Sequence, residues 1–346
     1  MDKFVDLFHL NTFKVHARAQ LYSEIKTIAD LHAVSDYLKN EGTFFVLGGG
    51  ANILFTGDVD GLVVKNNLLG IEVIENKEDV FIKVSSGGNW IDLVEFCVNN
   101  GFAGIENLAF IPGTVGAAVV QNIAAYGQNF EDVFVLAETI DLLTGEAVHF
   151  NKEDCLFGYR TSIFKKKSNY FITSVTIRLS KVFNTNISYR SRYESLESEL
   201  VGIDEPYSIK DIYDAIVRLR LKKLPDWRIL GTAGSFFKNP VISKKHFEQL
   251  NSEVKELQSY PVQRLEYGKS VEDDEYVKVP AGRLLDELGW KGKRKGSVGT
   301  FDKQALVIVN HGGATGKEIL AFSQEMAEDI KKNYDIILES EVCIVH

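Results

Sequence analysis

The stretch from Asn107 to Phe130, NLAFIPGTVGAAVVQNIAAYGQNF, carries no charged residue. Gly113 and Gly116, with the small side chains of Thr114, Ala117 and Ala118, leave backbone N–H groups open to close approach, which suits a flat ring or a pyrophosphate. Gln121 and Asn122 can answer a ring's polar edge with amide donors and acceptors. Upstream, Phe44 to Leu47 reads as a buried strand running straight into Gly48, Gly49 and Gly50. Consecutive N–H groups in such a turn can converge on an anion. The same residue types also fit a buried strand pair with a glycine turn, and by themselves they leave both readings open.

Other chemistries find less support. A Rossmann fingerprint needs a third glycine at Ile53 and a helix starting there, but NILFTGD brings Gly57 and Asp58 too soon for a stable helix. HGGATGK is not a phosphate loop of the GxxxxGK type, because its first glycine would fall on His311 and Glu318 follows Lys317. The seven His residues are scattered without an HxxxH pair, and no Ser/His/Asp or metal constellation stands out, so no metal is expected. Cys97, Cys155 and Cys343 show no CxxC spacing, which suggests neither a disulfide framework nor a zinc site and fits a reducing cytoplasm.

Four motifs in order, GGGANILF, PGTVGAAVVQNIAAYG, GYRTSIFK and GSFFKNP, resemble those of the UDP-N-acetylenolpyruvoylglucosamine reductases of peptidoglycan synthesis. The resemblance runs from Asn11 to about Val345. It implies a two-lobed FAD-binding domain of the vanillyl-alcohol-oxidase/PCMH type followed by a smaller α+β substrate-binding domain. It implies noncovalent FAD, since the flavin stretches lack the His or Cys that tethers the ring in some oxidases. NADPH would reduce the flavin from the pocket that later admits UDP-N-acetylglucosamine enolpyruvate, in a ping-pong cycle.

On this resemblance the cofactor is met by Gly48, Gly49, Gly50, Ala51 and Asn52, which hold the pyrophosphate, and by Pro112, Gly113, Thr114, Gly116, Ala117, Gln121, Asn122, Ala124, Tyr126 and Gly127. Tyr189 matches the tyrosine that closes over the substrate in the longer subclass. Lys223 matches a contact to the substrate's nucleotide part, and Asn239, Lys291 and Gln304 are implied on the substrate as well. Catalysis falls to Arg160, Ser235 and Glu341. Hydride added to the terminal carbon of an enolpyruvyl ether leaves charge on the adjacent carbon and its carboxylate, so the reaction needs a fixed cation and an acid. Arg160 offers the planar fork for the carboxylate, Ser235 the proton, and Glu341 a hydrogen bond to the reacting carboxyl system, protonated or paired with Arg160. Ala51, Thr161, Ser340 and Cys343 depart from the commoner serine, acidic residue, proline and arginine. An FAD-dependent oxidase or dehydrogenase of the same superfamily and a non-catalytic UDP-sugar binding protein stay open as alternatives.

The elements that must position these residues are legible in part. Leu31, Val34 and Leu38 recur at helical spacing, as do Trp90, Leu93, Val94 and Cys97. Leu62 to Lys65, Val80 to Ser85 and Tyr170 to Leu179 read as strands, with a hairpin around Thr144 and Gly145. Ser208 and Asp211 form a capping-box pattern ahead of Ile209, Ile212, Ile216 and Leu219, and Arg220, Lys222 and Lys223 suit that helix's C-terminal dipole. Helices are expected over Lys244–Ser252, Gly282–Leu288 and Lys317–Tyr334, strands over Gly231–Pro240, Ala305–Asn310 and Ile336–Val345. The last would set Glu339 and Glu341 on one face. The cluster Lys291, Lys293, Arg294, Lys295 reads as a solvated face or as a cation source for a diphosphate.

The expected division is 1–182 for the FAD domain, in lobes of about 1–67 and 68–182, then 183–205 as a polar connection carrying Tyr189, and 206–346 for the substrate domain. At 346 residues, 45% hydrophobic and 25% charged, the composition is that of an ordinary globular protein of two or three domains. A net charge of −9 gives no general attraction for nucleic acid or an anionic membrane and favours a small-molecule substrate. The uncharged stretch cannot span a bilayer, because Pro112, Gly113, Gln121 and Asn122 interrupt it. No export signal is visible in MDKFVDLFHLNTF, so a cytoplasmic enzyme is expected; oligomeric state is not encoded legibly.

Overall fold

A computed structural model describes residues 1–40, 42–183, 196–266 and 269–346. Tyr189 lies outside the described residues. Contacts divide the chain into two units, each discontinuous: Met1–Asp6, Arg18–Gly50 and Asp58–Lys222 in the first, Leu7–Ala17, Ala51–Gly57 and Lys223–His346 in the second.

The first unit holds two larger sheets besides the two-stranded hairpin of Ala124–Ala125 with Gln128–Asn129. One orders its strands Asp2–Asp6, Arg18–Ile25, Val59–Asn66, Phe44–Leu47. The inner strand Val59–Asn66 is parallel to both neighbours and buried almost throughout, as its Leu-Val-Val run requires of a strand covered on both faces. Leu31, Val34 and Leu38 of the helix Leu31–Leu38 pack with Ile25, Leu62 and Val64. The other sheet is antiparallel, in the order Ala147–Phe150, Phe134–Asp141, Tyr170–Ser180, Asp79–Ser85, Ile71–Glu75. Val80, Ile82 and Val84 alternate inward and meet Trp90, Leu93, Val94 and Cys97 of the helix Trp90–Asn99.

The helix Ile209–Lys223 closes this unit. Its capping box is formed: Ser208 N donates to Asp211 Oδ2 at 2.8 Å, and Asp211 N to Ser208 Oγ at 3.2 Å. The apolar stripe Ile212, Ala215, Ile216, Leu219 joins the core of Trp90 and Leu93. The unit boundary therefore falls between Lys222 and Lys223, not near residue 206. Burial of that stripe is the reason, since a helix follows the core that covers its apolar face.

The second unit has a sheet ordered Gly231–Ser235, Gln304–Asn310, Val298–Phe301, Arg294–Lys295 and another ordered Val241–Ser243, Lys269–Lys278, Tyr260–Glu266. Sequence alternation gives no hint of the latter, because KSVEDDEYVK is largely charged. The helices Lys244–Glu253, Ala281–Glu287 and Gly316–Tyr334 complete it. Two early segments belong here. Asn310 Nδ2 donates to Phe13 O at 2.9 Å, and Ile53–Phe55 pairs in parallel with Cys343–Val345. The expected strand over Ile336–Val345 is confined to Cys343–Val345. Upstream of it, Lys238 N donates to Glu339 O, and the exposed Glu339 carboxylate pairs with Lys238 at 3.0 Å. Glu339 and Glu341 thus share no strand face. Among the described residues no helix is long and apolar enough to cross a membrane.

Candidate active site

In the first unit the two glycine segments, far apart in sequence, meet backbone to backbone. A Cβ on Gly49 would lie 2.7 Å from Gly113 Cα, and one on Gly48 would lie 2.8 Å from Thr114 Oγ1. Gly113 itself has φ of +132°, a conformation essentially confined to glycine. Among the described residues nothing accepts the Gly49 N–H, so it remains available to an anion. Pro112 and Gly113 are half-buried, and Gly113 O accepts from Trp90 N at 3.1 Å, which anchors the turn on the helix below it.

The helix Val115–Gln121 that follows was not legible in the sequence, being short and built from glycine, alanine and valine. It corrects two expectations. The Gly116 N–H is not open: it donates to Ser86 O at 2.8 Å, and a Cβ there would meet Ser86 Cβ at 2.9 Å. Gly116 is a packing glycine. The Ala117 N–H is likewise taken, by the capping hydroxyl of Thr114 at 3.4 Å.

Gln121 and Asn122 also separate. Asn122 takes the left-handed conformation at the helix end, with φ of +43°, and both ends of its amide are engaged: Nδ2 donates to Gly158 O at 3.1 Å and Oδ1 accepts from Glu131 N at 3.1 Å. One amide hydrogen and one carbonyl lone pair are thereby taken within the fold. Gln121 Oε1 is buried and has no hydrogen-bond partner among the described residues. A buried amide oxygen left unpaired costs about 1–3 kcal/mol, so this atom marks where a ligand donor belongs.

Next, Ala124 and Ala125 pair with Asn129 and Gln128 around a two-residue turn, Tyr126–Gly127, both with positive φ. That is the primed turn a tight hairpin requires, and a tyrosine in its first position is strained. Arg160 shares the anomaly, with φ of +56° inside a turn closed by Gly158 and Thr161. Its Nη2 donates to Ala124 O at 3.0 Å and its guanidinium lies 5.5 Å from the Tyr159 ring centre. The fold thus brings Gly113, Gln121, Tyr126 and Arg160 onto one connected set of turns.

In the second unit Ser235 ends a strand that bulges at Gly234, whose φ is +74°. The Ser235 hydroxyl makes no hydrogen bond among the described residues. Its neighbour Phe236 accepts from Glu341 N at 2.8 Å, so the serine and the glutamate sit on directly bonded strands of chain. Asn52, expected at a pyrophosphate, counts with this unit and donates from Nδ2 to Glu341 O at 2.9 Å. Ala51 precedes it in the same segment. Asn239 Oδ1 accepts from Ala281 N at 3.0 Å and secures the helix Ala281–Glu287. Gln304 Oε1 accepts from Leu306 N at 3.3 Å.

The basic cluster is largely engaged within the fold. Lys291 pairs with Asp286 at 2.8 Å, Lys293 lies 3.6 Å from the Trp290 ring centre, Arg294 donates to Gly296 O and Lys295 pairs with Glu325. Lys223 begins the second unit and is half-buried. One cation escaped sequence reasoning: Arg220, half-buried, whose Nε donates to Phe110 O at 3.0 Å. It was read with Lys222 and Lys223 as a partner for the helix dipole.

Sequence profiles place these parts. The FAD binding domain family matches residues 19–151, and the C-terminal domain of UDP-N-acetylenolpyruvoylglucosamine reductase matches residues 225–345. The UDP-N-acetylenolpyruvoylglucosamine reductase of Flavobacterium johnsoniae is 40% identical over 344 residues, covering 98% of each chain. The chain belongs to the UDP-N-acetylenolpyruvoylglucosamine reductase family. The same-named protein of Amoebophilus asiaticus is 41% identical over 349 residues, covering 99% of this chain and 98% of its own.

Among solved structures, the reductase of Thermus caldophilus matches with TM-score 0.66 at 22% identity, covering 99% of this chain and 98% of that one. A solvent-stable cholesterol oxidase matches with TM-score 0.50 at 9% identity, covering 96% and 85%. These two speak for the fold alone: an oxidase-type FAD-binding fold followed by the reductase family's C-terminal domain, with mixed helix and strand. FAD is the cofactor of this family member, and the first unit fits it. The unpaired Gln121 oxygen, the free Gly49 N–H and the cradle that a Cβ on Gly49 would fill are the features a bound dinucleotide completes.

Proposed function

We propose that the protein reduces UDP-N-acetylglucosamine enolpyruvate to UDP-N-acetylmuramate for peptidoglycan synthesis, with NADPH as the hydride donor. The observation that carries this reading is the reductase likeness over 98% of both chains, which joins the FAD half and the Ser235–Glu341 half in one family. When bound, FAD supplies the hydride-carrying centre between NADPH and the alkene.

The chain's own residues do the rest. Gly48, Gly49, Gly50 and Gly113 receive the pyrophosphate and the ring's edge by close backbone approach, Gln121 offers its acceptor to a ring N–H, and Pro112, Thr114, Ala124, Tyr126 and Gly127 shape the surface around them. Arg160, tethered to Ala124 O, orients the enolpyruvyl carboxylate and holds the charge that develops on it. Ser235, its hydroxyl uncommitted within the fold, gives a proton to the carbon that hydride addition leaves electron-rich; a hydroxyl is a weak acid, but such a carbon is a strong base. Glu341, fixed through Phe236 and Asn52, hydrogen-bonds the carboxyl system. Tyr189, Lys223, Asn239, Lys291 and Gln304 serve the UDP-sugar.

An anaerobic titration tests the whole reading. NADPH should bleach the flavin absorbance, and the enolpyruvyl substrate should restore it with formation of one equivalent of UDP-N-acetylmuramate. Bleaching without recovery on adding substrate would reject the proposed reaction while leaving the flavin assignment in place.

A further inference from the structure

Gly158 and Thr161 exchange both backbone hydrogen bonds, at 3.1 and 3.2 Å, which leaves Tyr159 and Arg160 as a two-residue turn. Arg160 is its second residue, with φ of +56°. A positive φ at that position favours glycine, because a Cβ crowds the backbone there. The direction of the Cα–Cβ bond follows from the backbone angles, so a turn that relaxed toward negative φ would swing the guanidinium off its contact with Ala124 O. Such a conformation persists only where its surroundings over-determine it. One brace is Asn122, whose Nδ2 holds Gly158 O at 3.1 Å. Another is Lys165. Its Nζ donates to Arg160 O at 2.7 Å, a charge-assisted bond to the carbonyl of the strained residue itself. Lys165 ends the single helical turn Ile163–Lys165, which is fixed at three points. The buried Ser162 donates from Oγ to Val120 O at 2.9 Å, and Ile163 N donates to Cys155 O at 2.8 Å. The buried Phe164 meets Phe150 edge-on, with ring centres 5.0 Å apart. The ammonium therefore reaches back to Arg160 from an anchored base.

We propose that Lys165 is a positioning residue for reduction of the enolpyruvyl substrate: by holding Arg160 O it keeps the Tyr159–Arg160 turn in the form that aims the guanidinium at the substrate carboxylate. The inference rests on the reading of Arg160 as the cation for that carboxylate. Lys165 acts through Arg160 and not on the substrate itself. Its influence falls on one half-reaction, since hydride transfer from NADPH to the flavin involves no substrate carboxylate.

The test uses FAD-loaded full-length protein carrying Lys165→Met, which keeps the stem and loses the donor, Lys165→Arg, which keeps donors, Arg160→Ala, or Arg160→Ala together with Lys165→Met. Single-turnover absorbance separates bleaching by NADPH from reoxidation by UDP-N-acetylglucosamine enolpyruvate. Wild-type flavin that bleaches but is not reoxidised would overturn the proposed reaction and the inference with it. Arg160→Ala reoxidised at the wild-type rate would instead overturn the role of Arg160, and again the inference. Lys165→Met should bleach within about twofold of wild type and, at saturating substrate, reoxidise about 10 to 100 times more slowly, the cost of a cation displaced by about an ångström. Lys165→Arg should recover most of that rate. In the Arg160→Ala background the loss of Lys165 should cost less than about twofold, because the group it positions is gone. Losses that multiply would overturn the proposal, since Lys165 would then act independently of Arg160. Where Arg160→Ala is too slow to time, binding of UDP-N-acetylglucosamine, which lacks the carboxylate, replaces that comparison: Lys165→Met should bind it as wild type does, and weaker binding would overturn the proposal. A wild-type reoxidation rate in Lys165→Met would overturn it too, as would equal slowing of both half-reactions, which would make Lys165 a support of the fold.

Discussion

Asn52 holds Glu341 by its backbone. The amide Nδ2 donates to Glu341 O at 2.9 Å, and Cys343 N returns a bond to Asn52 O at 3.0 Å. One donor of the side chain that follows the glycine-rich turn is therefore engaged by the segment leading into the chain's last strand. It fixes the segment that carries the carboxyl group.

Asn52→Ala should keep its FAD but lose about 0.5–1.5 kcal/mol of stability, the net worth of one hydrogen bond. Flavin reduction by NADPH should be nearly unchanged and reoxidation by the enolpyruvyl substrate slower, as Glu341 drifts. Urea unfolding and stopped-flow absorbance measure the two. Weaker FAD binding, with normal reoxidation of the FAD that stays bound, would return Asn52 to the cofactor.

Ser235→Ala should still be bleached by NADPH, because that half-reaction needs no acid at the substrate carbon. Reoxidation should slow by roughly 10² to 10⁴. Ser235→Cys should restore part of the rate, a thiol being the stronger acid. Equal losses in both half-reactions would make Ser235 a shaper of the site and not its proton donor.

Gln121→Leu removes a buried acceptor that has no partner within the fold. The apoprotein should unfold at the same temperature or a higher one, while FAD affinity falls by about 1–3 kcal/mol. Thermal unfolding of apoprotein and fluorescence titration with FAD separate the two effects. A destabilised apoprotein with normal FAD affinity would contradict the ligand role.

Gly113→Ala forces a side chain onto φ of +132° where the loop packs against Gly49. A loss of about 1–3 kcal/mol is expected, with weaker FAD retention through displacement of the turn. Gly145→Ala, at a hairpin tip with φ of +80° and open space around it, should cost stability without changing FAD affinity. Calorimetry and FAD content on both variants check this.

Burial pushes the Cys97 and Cys155 thiols up to about 12 from 9.0, whereas Cys343 is exposed. In native protein at pH 8 a thiol reagent should modify Cys343 alone, and after unfolding all three. Because the folded-state values are raised, the stabilisation from the two neutral thiols is complete below pH 9 and is lost as pH rises toward 12. Denaturant midpoints measured from pH 8 to pH 11 should fall accordingly, and less steeply in Cys97→Ala.

The strands and helices that carry one apolar stripe were legible because alternation and the 3.6-residue period are local: Val80, Ile82 and Val84, or Ile212, Ile216 and Leu219, state their face within a few residues. The glycine segments announced a ligand for the same reason, since residue type alone limits how close a backbone can come. The short helix Val115–Gln121 and the charged hairpin of the second unit carry no such stripe and were missed. What those local patterns leave undetermined is the partner of each polar group. Gly116 and Ser86, Asn122 and Gly158, Asn52 and Glu341 are joined by contacts between segments 30, 36 and 289 residues apart, and only folding decides that Gly116 packs, Asn122 caps and Asn52 braces while Gln121 stays open. The sequence determined which groups could meet a flavin; the tertiary structure decided which donor and acceptor positions the protein had already used, because a position satisfied inside the fold is no longer open to a ligand.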